Sequence, residues 1–156
     1  MIRTFIIAIL LSLSSAIPAM AQGSISKLVN SLENNKGCDI VYRENRDPAT
    51  RKVTYSKRLI TFKDKKLAQR FEDAFRKERE NSVEYQSNED KSASVYKIRF
   101  DDNKGHCSQY TLVIEGSGHD KCTLSAEIHN TANISRKSSP RHGSSGTTRT
   151  RYRRGL

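Results

Sequence analysis

The chain has 156 residues, 35% of them hydrophobic, with 28 lysines and arginines against 17 acids and a formal charge of +11. That length suits one compact domain with short extensions and excludes two full-sized ones. The charge alone would suggest a nucleic-acid binder, but residues 22–129 hold 20 basic and 17 acidic side chains while residues 130–156 hold seven basic and none acidic. The body is therefore an ordinary mixed-charge surface, and the excess belongs to the C-terminus.

The N-terminus has the three parts of a secretory signal: Arg3, an apolar run from Phe5 to Leu13, and small residues at Ala19 and Ala21. The run is too short to span a bilayer. Cleavage is expected after Ala21, giving a periplasmic or secreted protein that starts at Gln22 and has no later membrane segment. Next, Ile25, Leu28, Val29 and Leu32 share one helical face. Ser24 is the expected N-cap and Gly37 the expected left-handed residue after the last turn. CDIVYRE then alternates as a strand, with Cys38, Ile40 and Tyr42 on the core side. Between Val53 and Phe62 the alternation slips, since Val53, Tyr55 and Leu59 are out of phase with Ile60 and Phe62. A bulge near Lys57 or Arg58 would reconcile the two.

A second helix follows, capped by Asp64, with Leu67, Ala68, Phe71, Ala74 and Phe75 inward. On its wet side, Glu72–Arg76 and Asp73–Lys77 are spaced to pair. VYKIRF, YTLVIE and CTLSAEIH alternate as three more strands, with a short extra one possible at VEYQ. The expected fold is α+β: a two-layer sandwich with two helices on one face of a mainly antiparallel sheet of about five strands. The domain occupies 22–129, between the signal (1–21) and a basic, disordered tail (130–156).

VYRENRDPATRKVTYSKRLITFKDKKLAQRFEDAFRKERE resembles small exported proteins of gut Bacteroidetes classed only as a domain of unknown function. In those, a strand pair is joined by an Arg-x-Pro-x-Thr-x-Lys-like turn, here Arg46-Asp47-Pro48-Ala49-Thr50-Arg51-Lys52. An amphipathic helix ending in charges and closing strands follow. The resemblance covers about residues 22–129. It implies an exported bacterial protein without assigned activity, and it supplies no functional residue.

Three cysteines, Cys38, Cys107 and Cys122, would enter an oxidising compartment. Cys38 and Cys122 share the core phase of their strands and Cys107 does not, so parity favours a Cys38–Cys122 disulfide, with buried reduced thiols as the alternative. A hairpin turn at residues 117–120 places Cys107 opposite about Asn130 and Cys122 opposite about Glu115, far apart along the sheet. The same geometry separates His106 and Cys107 from His119 and Cys122, which argues against a Cys2His2 metal site and against a Cys–His nucleophile. No catalytic motif or cofactor fingerprint occurs, so neither an enzyme nor a cofactor is expected.

Two binding surfaces remain. Arg43, Lys97, Arg99, Thr111, Val113 and Thr123 fall on the polar sheet face and would form a platform for a protein partner if their strands are neighbours. Tyr42, Tyr96 and Tyr110 lie in the core phase and read as packing. In the tail, Arg149, Arg151 and Arg153 recur at every second position, with Tyr152 and Arg154 beside them, a strip suited to phosphates. The expected function is a non-catalytic exported binding or adaptor protein of the cell envelope. Its tail would associate with an anionic surface: lipid, lipopolysaccharide or polysaccharide. The alternative is a protein-interaction or inhibitor domain acting through the body alone.

Overall fold

The computed structural model describes residues 23–116, 118–135 and 147–155. The expected signal lies outside the described residues. Helix α1 spans Ser24–Ser31 and tightens into a 3-10 turn over Leu32–Asn34. It buries Ile25, Val29 and Leu32, as its apolar stripe requires. Its N-terminus departs from expectation. Gly23 is the N-cap, and Ser24 is already helical. The cap comes from the far end of the second helix, where the Glu78 carboxylate accepts from Ser24 Oγ and, at 2.9 Å, from the Ile25 N–H. An anion at a helix N-terminus meets both the open N–H groups and the helix dipole. A Cβ at residue 23 would lie 2.2 Å from Glu78 Oε2, so a side chain there would displace the capping carboxylate. Gly37 has no positive φ, because the 3-10 turn ends the helix first.

Strands β1 (Asp39–Arg46) and β2 (Val53–Phe62) form a hairpin. Asp47, buried in its turn, accepts from the Ala49 and Thr50 N–H groups and also from Ser135 N–H at 2.9 Å, tying the turn to the segment that follows the sixth strand and its 3-10 turn, Thr131–Asn133. The β-bulge lies where Asn45–Tyr55 gives way to Arg46–Val53, not near Lys57 or Arg58. From Tyr55 to Phe62 the ladder is unbroken, so the apparent slip reflects a strand with apolar residues on both faces.

Helix α2 (Lys65–Glu78) is capped by Asp64, which accepts from Lys66 and Leu67 N–H, and it buries the predicted Leu67, Ala68, Phe71, Ala74 and Phe75. Glu72 turns inward and accepts from Tyr96 Oη, while Arg76 pairs with Glu89 at 3.2 Å. The expected Glu72–Arg76 pair is therefore replaced by contacts to the sheet.

Strands β3 (Glu84–Glu89), β4 (Ala93–Asp101), β5 (His106–Glu115), β6 (Lys121–Asn130) and β7 (Thr147–Arg153) complete an antiparallel sheet in the order β3-β4-β5-β6-β2-β1-β7. The fold is α+β as expected, but the sheet has seven strands rather than about five. The seventh corrects the expectation of a disordered tail: residues 147–153 are a strand on β1, while 136–146 lie outside the described residues. The physical reason is local. A segment too polar to fold alone finds seven backbone partners on an open sheet edge.

Phe71 meets Phe62 at 5.9 Å between ring centroids, and Phe75 meets Tyr96 at 6.2 Å, so α2 packs on the face carrying Ile60, Tyr96, Ile98, Leu112 and Leu124. Cys38 and Cys122 are buried, unbridged thiols of this core. Phe62 is the partner of Cys122 in β2, and Cys38 stands one step past the Asp39–Thr61 pair. A whole strand therefore separates the two cysteines, roughly 9–10 Å, beyond the roughly 7 Å a disulfide allows. Shared parity was right, and adjacency was missing.

Candidate functional site: an arginine-lined groove beside the C-terminal strand

The register of β7 decides the fate of its arginines. Arg153 stands opposite Ile40, Arg151 opposite Tyr42 and Arg149 opposite Glu44, so all three lie on the α1 side of the sheet. Tyr152 stands opposite Val41 on the other face and is 73% exposed. The expectation that it lies beside the arginines is corrected by the two-residue period of a strand.

Arg153 is not available to a ligand. Its guanidinium donates to the carbonyls of Leu32 (3.0 Å), Asn35 (2.7 Å) and Glu33, where α1 and its 3-10 turn end. Helix C-termini leave such carbonyls open, and a cation there also meets the negative end of the dipole. Arg154 is exposed. Arg151 is exposed and, among the described residues, has no hydrogen-bond or ion-pair partner.

Beside Arg151 lies a groove of about 650 Å³. Val29, Ile40 and Ile60 form its apolar floor, and Tyr42 sits between Arg58 of β2 and Arg151 of β7 in one ladder row. The Arg58 guanidinium lies 5.8 Å from the Tyr42 ring centroid, donates to Asn30 at 2.9 Å and pairs with Glu33 at 2.8 Å. Glu44, buried at the end of the groove, accepts from Arg46 Nε at 2.8 Å and from Tyr42 Oη at 2.7 Å. The Arg46 bond, then the Tyr42 bond, hold its carboxyl below the ordinary glutamate range. Burial, reinforced by the Glu44 bond, pushes the Tyr42 phenol up. Each groove acid thus has its own arginine, and Arg151 is the cation left over.

The polar face differs. Lys97 neighbours Thr111, and Val113 neighbours Thr123, but Arg43 lies three strands beyond Gln109, the partner of Arg99. The platform residues do not converge on one point. Three of its cations are matched, Lys97 with Glu84 (3.2 Å), Arg99 with Asp101 (3.5 Å) and Lys57 with Glu127 (2.6 Å), while Arg43 is exposed and has no ion-pair partner among the described residues.

The β5–β6 hairpin runs one residue from the expected register, with Cys107 opposite His129 and Cys122 opposite Ile114. Cys107 is half-buried and accepts from Arg99 Nε at 3.3 Å. His106 stands opposite Asn130, and His119 lies in the turn at the other end.

Sequence reasoning missed Arg58, Tyr42 and Arg46 as groove residues. Arg58 had a signal: it occupies the core phase of β2, two residues before Ile60, where a charge needs a partner. The cradle at the end of α1 had none, since backbone carbonyls carry no sequence identity. In comparison with known proteins, the family described as "Domain of unknown function (DUF5024)" matches residues 22–125. No curated protein matches the chain.

Proposed function

The chain belongs to the DUF5024 family, which brings no activity with it, and we propose that this member is a non-catalytic binding protein of the bacterial cell envelope. In this reading an N-terminal signal exports it to the periplasm or beyond, in a bacterium of the Bacteroidetes type. Its architecture is a two-layer α+β sandwich whose C-terminal strand completes a basic groove. The ligand is the phosphate group of an envelope amphiphile, with its apolar portion on the floor formed by Val29, Ile40 and Ile60. Arginine suits that role because its fork donates two parallel bonds to a phosphate.

One observation carries the reading: Arg151 stands across Tyr42 from Arg58 with no acid of its own, while both acids of the groove are already matched. Deleting the C-terminus would remove a sheet strand together with its charges, so charge substitution is the cleaner test. The double variant Arg149→Gln/Arg151→Gln should bind at least about tenfold more weakly, and the wild-type binding should fall as salt rises. Phosphatidylglycerol vesicles and lipopolysaccharide serve as separate arms, which distinguishes the two phosphate sources. Equal binding of variant and wild type on both surfaces would sink the proposal.

A further inference from the structure

The seat of β7 is built from residues inside the matched family domain, whereas β7 itself lies outside it. That seat has three parts. The outer edge of β1 provides an antiparallel ladder from Ile40–Arg153 to Arg46–Thr147. The carbonyls of Leu32, Glu33 and Asn35 converge on the guanidinium of Arg153. The Asp39 carboxylate accepts from Gly155 N–H at 2.7 Å, at an approach so close that a Cβ on residue 155 would lie 2.3 Å from the Lys36 carbonyl oxygen. The seat therefore selects an extended segment with arginine two places before glycine. Empty, it would leave an open strand edge and three helix-end carbonyls to water alone.

We propose that this edge is a strand-acceptor site that also takes the C-terminal strand of a second copy of this chain. Two observations support exchange between copies. The chain leaves the body beside the acceptor: Ser135 N–H is held by Asp47, and Thr147 pairs with Arg46, the residue before it. Eleven residues, 136–146, separate these points, and a chain of that length reaches up to roughly 40 Å. The same strand can thus lie on its own β1 or on a neighbour's. Both arrangements make identical contacts, so protein concentration sets the balance between them. This inference concerns strand docking and stands independently of the anion reading.

The probe is a synthetic peptide of residues 147–156, offered to the full mature protein as wild type, Arg153→Ala and Gly155→Val. In the wild type the chain's own strand occupies the seat and lowers the apparent affinity by the fraction of seats that are open. Either substitution loosens that strand while leaving the acceptor intact. Both variants should bind the wild-type peptide at least about tenfold more tightly than the wild-type protein does. A peptide carrying Arg153→Ala should bind none of them. Sedimentation of the wild-type protein from micromolar to millimolar concentration should show a growing dimer that excess peptide dissolves. Circular dichroism checks the fold of each variant, and either variant alone suffices. Failure of the peptide to bind a folded variant, or equal binding of the Ala peptide, overturns the acceptor site. Peptide binding with no dimer at millimolar protein overturns the second copy as its occupant.

Discussion

Two halves of one sheet face meet very different neighbours. One ladder row runs Ile98, Tyr110, Ala126, Arg58, Tyr42, Arg151 from β4 to β7. Its first three residues are buried in the core under the helices, whereas its last three line an open groove. The backbone pattern is the same throughout. What changes is cover: α2 sets Phe75 on Tyr96 of β4 and Phe71 on Phe62 of β2, while beside β1 and β7 the end of α1 contributes Val29 to the floor of an open groove. Water reaches the strand there, and arginine becomes the favoured occupant of a core-phase position. Period-two alternation thus reports which face a residue takes, and only the reach of the helices says whether that face is dry.

The sharpest way to probe this contrast is to damage each half in turn. Phe71, fully buried between α2 and β2, should cost about 3–5 kcal/mol as Phe71→Ala in denaturant unfolding. In the groove, Arg153→Ala removes the donor that satisfies three helix-end carbonyls. It should cost about 1–2 kcal/mol and, more tellingly, speed hydrogen exchange in β7 while leaving β4 and β5 protected. If β7 exchanges no faster in the variant, the clamp is not what holds the strand.

Asp47 links the two halves through Ser135, and its effect should appear in pH dependence. The Ser135 backbone bond, followed by that of Thr50, holds its carboxyl below the ordinary aspartate range. Its contribution is therefore complete above the unfolded value of about 3.9 and disappears as pH falls through the lower folded value. Asp47→Asn should flatten that part of the acid-unfolding curve, and an unchanged curve would remove Asp47 from the account. The smallest expected effect is chemical. Burial pushes the Cys38 thiol up and the Cys122 thiol to about 11, whereas Cys107 is half-buried. Iodoacetamide should add one label to the native protein and three after denaturation without reductant. Only one label after denaturation would mean that a disulfide forms after all.

Much of the core was legible from side-chain periodicity. Leu67, Ala68, Phe71, Ala74 and Phe75 read directly as a helical stripe, and Asp64 as its cap, because both signals are local. The cap of α1 was not legible, since Glu78 lies 54 residues from Ser24 and only folding brings them together. The cysteines show the same limit in another form: parity put Cys38 and Cys122 on one face, but strand order placed β2 between them.

The C-terminus draws the final line. Sequence by itself determined that residues 147–155 carry alternating arginines and too little apolar surface to fold alone. It also determined two amphipathic helices and the faces of most strands, because those properties follow from spacing along the chain. Tertiary structure decided that this segment becomes a strand, that Arg153 serves as a clamp, and that Arg151 stands over a groove. Those outcomes depend on an open edge of β1 and on carbonyls at the end of α1. Backbone groups supply both, and every residue carries the same ones, so no reading of side chains could locate them.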